Sequence, residues 1–290
     1  MKLIMILITG ATGHLGNKVI ENLLKSVPAS EIKALARDEQ KAANLKEKGV
    51  TIATGDYENI PALDNAMKGI NKVLLISGLD ENRLEQHKNV IDAAKRAGVE
   101  RIVYTSVSMT DVSSSVMKDF MGSHFQTEDY IKESGLEYTL MRNSLYMDVI
   151  PMFIGEKPNE TGVVLPAGEG KVAFALRTEM AEALANVLAD DTHANKVYDI
   201  TNTEAYSFND IAVSLSELYG KEIKYTSPDA DVFAKQLKEY SVPDFAINLT
   251  VGFATDIKNN LLNIVSTDLE SILNRKPATL KKGLKELYAL

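Results

Sequence analysis

Three glycines, Gly10, Gly13 and Gly16, follow directly on the apolar run Leu3 to Ile8 in the stretch KLIMILITGATGHLG from Lys2 to Gly16. Glycines at a strand-to-helix turn suit phosphate binding. The first permits a sharp turn, the second lets backbone approach a pyrophosphate without a Cβ in the way, and the third lets helix and strand pack closely. Open N–H groups at the start of the next helix then favour an anion. Arg37 ends a second apolar segment, EIKALAR, twenty-one residues after Gly16. A carboxylate at that strand end holds the ribose diol of NAD, whereas a guanidinium pairs bidentately with a 2′-phosphate and offers the diol no acceptor. NADP is therefore expected, with NAD as the alternative that neighbouring Asp38 keeps open, and a solvated surface arginine as the plain reading. Asp56 and Tyr57 follow the third strand, where a carboxylate either meets an adenine amino group or caps a helix. Ser77 and Gly78 end the fourth strand, and Thr105 and Ser106 the fifth. Ligands of open α/β sheets bind beyond such carboxyl ends, so both pairs are expected to face the ribose and nicotinamide.

An alternation of short apolar strands with helical patterns must position these residues. After a helix around Asn17–Ser26 come a strand at Glu31–Arg37, a helix over Glu39–Lys48 and a strand at Val50–Ala53. Lys72–Ser77 (KVLLIS), Gln86–Ala97, Arg101–Ser106 (RIVYTS), a helix over Ser123–Ser134 and Glu137–Arg142 (EYTLMR) continue the rhythm. Gly49, Gly69 and Gly98 each precede a strand, where helix C-caps belong. The fold class expected is α/β, a Rossmann-type doubly wound parallel sheet. Beyond Asn143 the rhythm breaks, and the proline- and glycine-rich Tyr146 to Gly170 reads as loops and short strands. Glu179–Ala189 is an alanine-rich helix and Lys196–Ile200 a further strand; Phe208–Leu218 and Asp231–Glu239 are helical. The organisation expected is a nucleotide-binding domain over 1–145, completed by about 172–200. A smaller, mainly helical substrate-covering domain takes 146–171 and 201–290.

Composition narrows the function. A net charge of −8 without a basic stripe argues against a nucleic-acid surface. Cysteine is absent, which excludes disulfides, thiolate nucleophiles and Cys-rich metal sites. His14 and His87 are too scattered to build a metal site, so none is expected. The apolar N-terminus meets Thr9-Gly10 within one strand length and lacks a cleavage site, and no segment is long and apolar enough to span a membrane. A cytoplasmic protein is expected. Met5, Met109, Met117, Met121, Met141, Met147 and Met152 are core filler by default, those after residue 108 being candidates to line an adaptable apolar pocket.

The G-x-x-G-x-x-G spacing resembles the short-chain dehydrogenase/reductase superfamily. Its hydroxyl-reducing members use a Tyr-x-x-x-Lys pair in which the lysine depresses the tyrosine pKa. No tyrosine here has a lysine four positions later. Where that helix should lie stands His124-x-x-x-Glu128, on one helical face. His124 is a candidate proton donor, or with Glu128 simply caps and buttresses the nicotinamide pocket.

Ordered stretches along nearly the whole chain resemble the NmrA-like atypical short-chain reductases, in particular their bacterial quinone oxidoreductase and triphenylmethane reductase branch. They are ITGATGHLG at Ile8–Gly16, VPASEI at Val27–Ile32, GDY at Gly55–Tyr57, LLISG at Leu74–Gly78 and AAKRAGVERIVYTS at Ala93–Ser106. YTLMRNSLY at Tyr138–Tyr146 and PAGEGKVAFALRTEMA at Pro166–Ala181 extend the likeness. The resemblance implies pyrophosphate binding by Gly10, Ala11, Thr12, Gly13, His14 and Leu15, and a 2′-phosphate on Arg37. It implies a nicotinamide side near Ser77, Gly78, Thr105, Arg142 and Asn143, with Asn143 and Tyr146 beside the substrate. The segment Ser106–Phe120, which contains MTDVSSSVMKDF, departs from the pattern and bears on the acceptor's identity. The activity implied is NAD(P)H-dependent hydride transfer to a quinone or similar conjugated molecule. Such an acceptor becomes aromatic as it is reduced and needs mainly proximity and orientation. A non-catalytic NADP-binding redox sensor of NmrA type is the alternative, and a sugar-nucleotide epimerase is disfavoured by the missing tyrosine pair. The partner expected is a small quinone-like molecule rather than nucleic acid or membrane, and a homodimer stays open.

Overall fold

The structure, a computed structural model, describes residues 4–290, so Lys2 and Leu3 at the head of the first apolar run lie outside the described residues. In chain order, β1 (Ile6–Ile8), α1 (His14–Leu23), β2 (Ile32–Ala36), α2 (Ala43–Glu47) and β3 (Thr51–Thr54) come first. They lead into α3 (Ile60–Ala66), β4 (Lys72–Leu75), α4 (Arg83–Ala97), β5 (Arg101–Val107), α5 (Lys118–Ser134) and β6 (Glu137–Asn143). Short elements follow: α6 (Ile150–Ile154), α7 (Pro158–Thr161), β7 (Val163–Val164) and β8 (Lys171–Val172). The remainder is α8 (Arg177–Ala189), β9 (Lys196–Ile200), β10 (Tyr206–Ser207), α9 (Phe208–Tyr219), β11 (Tyr225–Thr226), α10 (Ala230–Glu239), α11 (Asp244–Lys258), α12 (Asp268–Leu273) and α13 (Leu280–Leu287).

Among the described residues seven strands form one sheet in the order β3-β2-β1-β4-β5-β6-β9. β1 runs parallel to β2 on one side and to β4 on the other, with Ile6 opposite both Ile32 and Lys72. A strand between two neighbours and beneath helices must be apolar on both faces, and all three β1 residues are buried. The chain steps outward from β1 through β2 to β3 and then returns past β1 to β4, so the doubly wound order reverses beside β1, where α/β sheets bind their ligands. Several elements differ from the sequence expectation. α3 is an element that no apolar periodicity announces, because seven residues make less than two turns; its signals are Pro61 in the first turn and the Asn59 side chain accepting from the Ala62 N–H. α5 begins at Lys118, five residues earlier than expected.

The chain divides into two compact units. The first comprises residues 1–107, 122–142 and 178–198, and the second 108–121, 143–177 and 199–290. Leu7, Leu35, Leu63, Val73, Ile91 and Ile102 belong to the core of the first. In the second, fully buried Phe208 meets Phe153, Phe174 and Tyr225 at ring-centroid distances of 6.1 to 6.4 Å. Segments 108–121 and 172–177, which the strand–helix rhythm places with the nucleotide domain, cluster with the second unit. Hydrogen bonds far apart in sequence account for the first of these. Thr110 N–H donates to the Leu261 carbonyl, and buried Asp256 accepts from Ser115 Oγ and from Val116 N–H. Tyr146 to Gly170 holds α6 and α7 besides one short strand, β7, which pairs with β11; β8 follows just after it and pairs with β10.

Candidate active site

Gly10 takes a φ of +58°, which an L side chain resists, and its carbonyl accepts from the Gly13 N–H at 3.0 Å. A Cβ on Gly16 would stand 2.3 Å from the Gly10 carbonyl oxygen and 2.9 Å from Ala11 Cα, so only glycine lets α1 lie this close to the turn. Gly13 is the N-cap of α1, with no capping side chain and no acidic residue in the first turn. Unmet N–H groups at a helix start, with nothing anionic beside them, suit a pyrophosphate. Thr12 and His14 are exposed, whereas the Ala11 and Leu15 side chains point into the core. Those two are left with only backbone to offer a ligand.

At the end of β2 the exposed Arg37 guanidinium makes no hydrogen bond or ion pair among the described residues. Asp38 Oδ1 accepts from the Gln40 N–H at 2.8 Å, so the competing carboxylate is turned to a local job. Asp56 Oδ1 likewise accepts from the N–H groups of Glu58 and Asn59 and holds the turn before α3, leaving Oδ2 open. The residues beyond the inner strands are tied together. Thr105 Oγ1 accepts from the Ser77 N–H at 2.9 Å and lies 3.3 Å from Ser77 Oγ. Tyr57 Oη lies 2.6 Å from Thr9 Oγ1 and donates to the Ile76 carbonyl, and burial pushes its phenol up to about 12. The Gly78 carbonyl accepts from buried Arg83, whose Nε donates to Ser123 Oγ on α5.

His124 and Glu128 do not form a pair. One helical turn of α5 matches two residues of β5, so His124 meets Tyr104 and Glu128 meets Ser106. His124 Nδ1 lies 2.9 Å from Tyr104 Oη, and Glu128 Oε1 accepts from Ser106 Oγ at 2.6 Å. Ser106 is thereby turned to the helix side of the strand, opposite Thr105. Arg142, expected near the nicotinamide, gives its guanidinium to the same buried Glu128 at 2.9 and 2.6 Å and lies over the Phe125 ring. Burial, then the Arg83 charge, pushes His87 down to about 3, and His124 is held well below its ordinary value by burial and by Arg83 and His87. His124 is therefore neutral near pH 7.

A consequence for stability follows from these two histidines. The unfolded chain protonates them near pH 6.5 and the folded one does not, so folding is favoured above that pH and weakened below it. Below pH 6.5 the unfolding free energy is expected to fall, with a slope that approaches about 1.4 kcal/mol per pH unit from His87 near pH 5, and His124 acts in the same direction. Urea denaturation at stepped pH checks this, and a flat profile over that range would contradict it.

In the second unit, Asn143 ends β6 with its carbonyl accepting from the Ser108 N–H. Its side chain is 6% exposed, yet neither Nδ2 nor Oδ1 makes a hydrogen bond of normal geometry, although the amide bears on the Tyr146 phenol. Ser144 Oγ is also buried and unpartnered. Tyr146 lies under the Arg177 guanidinium, which pairs with Asp148 at 3.0 Å. Sequence reasoning assigned Arg177 no part, although it stands in the matching stretch Pro166–Ala181; nothing local marks it. An open groove of about 690 Å³ in the same unit is lined by Val116, Met117, Phe120, Phe245, Leu249 and Val251, with Asp119 and Asp231 beside them. Of the methionines after residue 108, Met117 lines that groove, Met109, Met121, Met141, Met147 and Met180 are buried, and Met152 is exposed. Among the described residues no His, Cys, Asp and Glu gather to hold a metal, and no helix is long and apolar enough to cross a membrane.

A glycine loop at the switch point of a doubly wound sheet is the signature of a Rossmann-type dinucleotide-binding protein. Within that class the chain belongs to the NmrA-like family, which it matches over residues 3–285. It is 36% identical to quinone oxidoreductase 2 of Escherichia coli over 288 residues, covering 98% of this chain and 99% of that protein. The crystal structure of the NADPH-dependent quinone oxidoreductase of Escherichia coli complexed with NADPH superposes with a TM-score of 0.90 at 35% identity, over 98% of this chain and 100% of the other. Triphenylmethane reductase of Citrobacter sp. complexed with NADP(H) gives 0.91 at 33% identity, over 98% and 100%.

Proposed function

We propose that the chain is an NAD(P)H-dependent reductase that delivers hydride to a quinone or a similarly conjugated small molecule. Full-length likeness to a quinone oxidoreductase and a dye reductase, both known with the nicotinamide cofactor bound, carries this reading. The residues present fit such a cofactor, because the uncapped start of α1 and the unengaged Arg37 are complementary to its phosphates. The backbone of Gly10 to Leu15 binds the pyrophosphate, Arg37 the 2′-phosphate, and Asp56 Oδ2 the adenine amino group. Ser77, Gly78 and Thr105 set the ribose and nicotinamide side, held firm by the Ser77–Thr105 contact and by Arg83 on Gly78.

When bound, the reduced nicotinamide supplies the hydride. The protein's share is to orient and to desolvate, since a quinone becomes aromatic as it is reduced and its oxygen can take a proton from water. Asn143, with one amide donor and one acceptor unmatched in a buried position, fits a carboxamide or an acceptor carbonyl. A buried amide without a hydrogen bond of full strength is left free to gain from a ligand. Tyr146 contributes a hydroxyl and a flat surface to the acceptor, while within the first unit His124 braces β5 and Arg142 ties β6 to α5. A cytoplasmic location, where reduced nicotinamide is maintained, belongs to this reading.

The direct test is NADPH oxidation with menadione, a benzoquinone and a triphenylmethane dye as acceptors. Turnover is expected; tight NADPH binding without turnover on any acceptor would favour a redox sensor. Arg37→Ala is expected to weaken NADPH binding by about 1.5–3 kcal/mol while leaving NADH almost unchanged, a split readable by fluorescence titration. Equal losses for both cofactors would remove the 2′-phosphate role.

A further inference from the structure

Arg177 starts α8, thirty-one residues after Tyr146, and the two are brought together by backbone: Tyr146 bridges Ala175, and the Met147 N–H donates to the Ala175 carbonyl at 2.8 Å. The guanidinium lies over the Tyr146 ring with Cζ 4.5 Å from its centroid. Asp148 fixes it there, pairing with Nη2 at 3.0 Å and accepting from the Arg177 N–H at 3.3 Å. Planar stacking and a carboxylate tether together leave the guanidinium little freedom, an arrangement a lysine cannot copy. Asn143, with its unmatched buried amide, bears on the same phenol.

Burial raises the phenol, the Arg177 charge and the Asn143 amide oppose that, and Asp148 acts weakly in the raising direction. A phenol whose anion is stabilised is also the stronger hydrogen-bond donor. We propose that Arg177 is a positioning residue for the hydride acceptor: laid over Tyr146, it holds the ring in place and strengthens its hydroxyl as a donor to the acceptor oxygen. This is the service that a lysine one helical turn away gives the tyrosine of hydroxyl-reducing short-chain enzymes, supplied here from a different element. The inference rests on the reductase reading above. The acceptor gains hydride with its electron pair, the nicotinamide being oxidised in the same step. Negative charge gathers on a carbonyl oxygen that the Tyr146 hydroxyl contacts, and water supplies the proton that completes the hydroquinone, so Tyr146 keeps its own.

The test is a double-mutant cycle read with menadione at saturating NADPH, with thermal melting to confirm that each variant is folded. Tyr146→Phe and Arg177→Met are each expected to lower kcat about tenfold, the double variant to be no worse than either, and Arg177→Lys to recover only part. A second readout needs no turnover: in protein carrying 13Cζ-labelled tyrosine, the signal missing from Tyr146→Phe should titrate at higher pH in Arg177→Met than in the wild type. No menadione-dependent NADPH oxidation by the wild type overturns the reductase reading and this role with it. Turnover with additive losses, or a Tyr146 titration indifferent to Arg177, overturns the role alone.

Discussion

Gly16→Ala is expected to raise the Kd for NADPH at least about a hundredfold and to destabilise the fold by about 1–3 kcal/mol. The added Cβ would sit 2.3 Å from the Gly10 carbonyl oxygen, and that atom is backbone, with no rotamer to adopt. Either α1 slides away from β1 or the turn opens. In both cases the N–H groups at the helix start lose their aim, and charge-assisted hydrogen bonds worth about 1.5–3 kcal/mol each are lost together. Gly13→Ala supplies the contrast, because its Cβ would meet nothing nearer than the Gly10 carbonyl oxygen at 3.2 Å. It should disturb the fold less and act mainly through the space a pyrophosphate needs. Fluorescence titration of NADPH, with urea unfolding of both variants, separates the two effects. Wild-type affinity in Gly16→Ala would show that the loop does not cradle the cofactor.

Arg142→Met should be the most damaging change away from that loop, costing about 3–5 kcal/mol of stability. Glu128 is 1% exposed, and Arg142 reaches it through two contacts at 2.9 and 2.6 Å, whereas Lys132 stands 3.8 Å away. Without the guanidinium a buried carboxylate keeps chiefly the Ser106 hydroxyl. Removing one partner of a buried pair is far more costly than removing a surface pair such as Lys18 and Glu21, worth about 0.2–1 kcal/mol. Urea unfolding measures the loss, and adding Glu128→Gln to Arg142→Met should restore part of it by withdrawing the stranded charge. A loss below about 1 kcal/mol would mean the clamp is not structural, and would return Arg142 to consideration as a cofactor ligand.

The nucleotide-binding half was legible in the chain because its signals are local. A run of apolar residues buried on both faces, glycines three apart, and alternating strand and helix periods depend on neighbours within a few positions, so β1, the loop, α1 and the alternation of strands with helices can be read directly. Arg37 was legible for the same reason, since strand length alone puts it at the carboxyl end of β2. What Asp38 does beside it was not, because its contact with the Gln40 N–H depends on a turn geometry that residue types do not dictate. His124-x-x-x-Glu128 looked like a pair along one helix face. Only the register of α5 against β5 shows that each member faces a different strand residue, and that Glu128 also holds the Arg142 guanidinium. The pairing of Arg177 with Tyr146, and of Ser115 with Asp256 across 141 positions, leaves no trace in spacing or composition. Such contacts exist only once distant segments have packed, and that packing is settled by burial over the whole chain rather than by any local period.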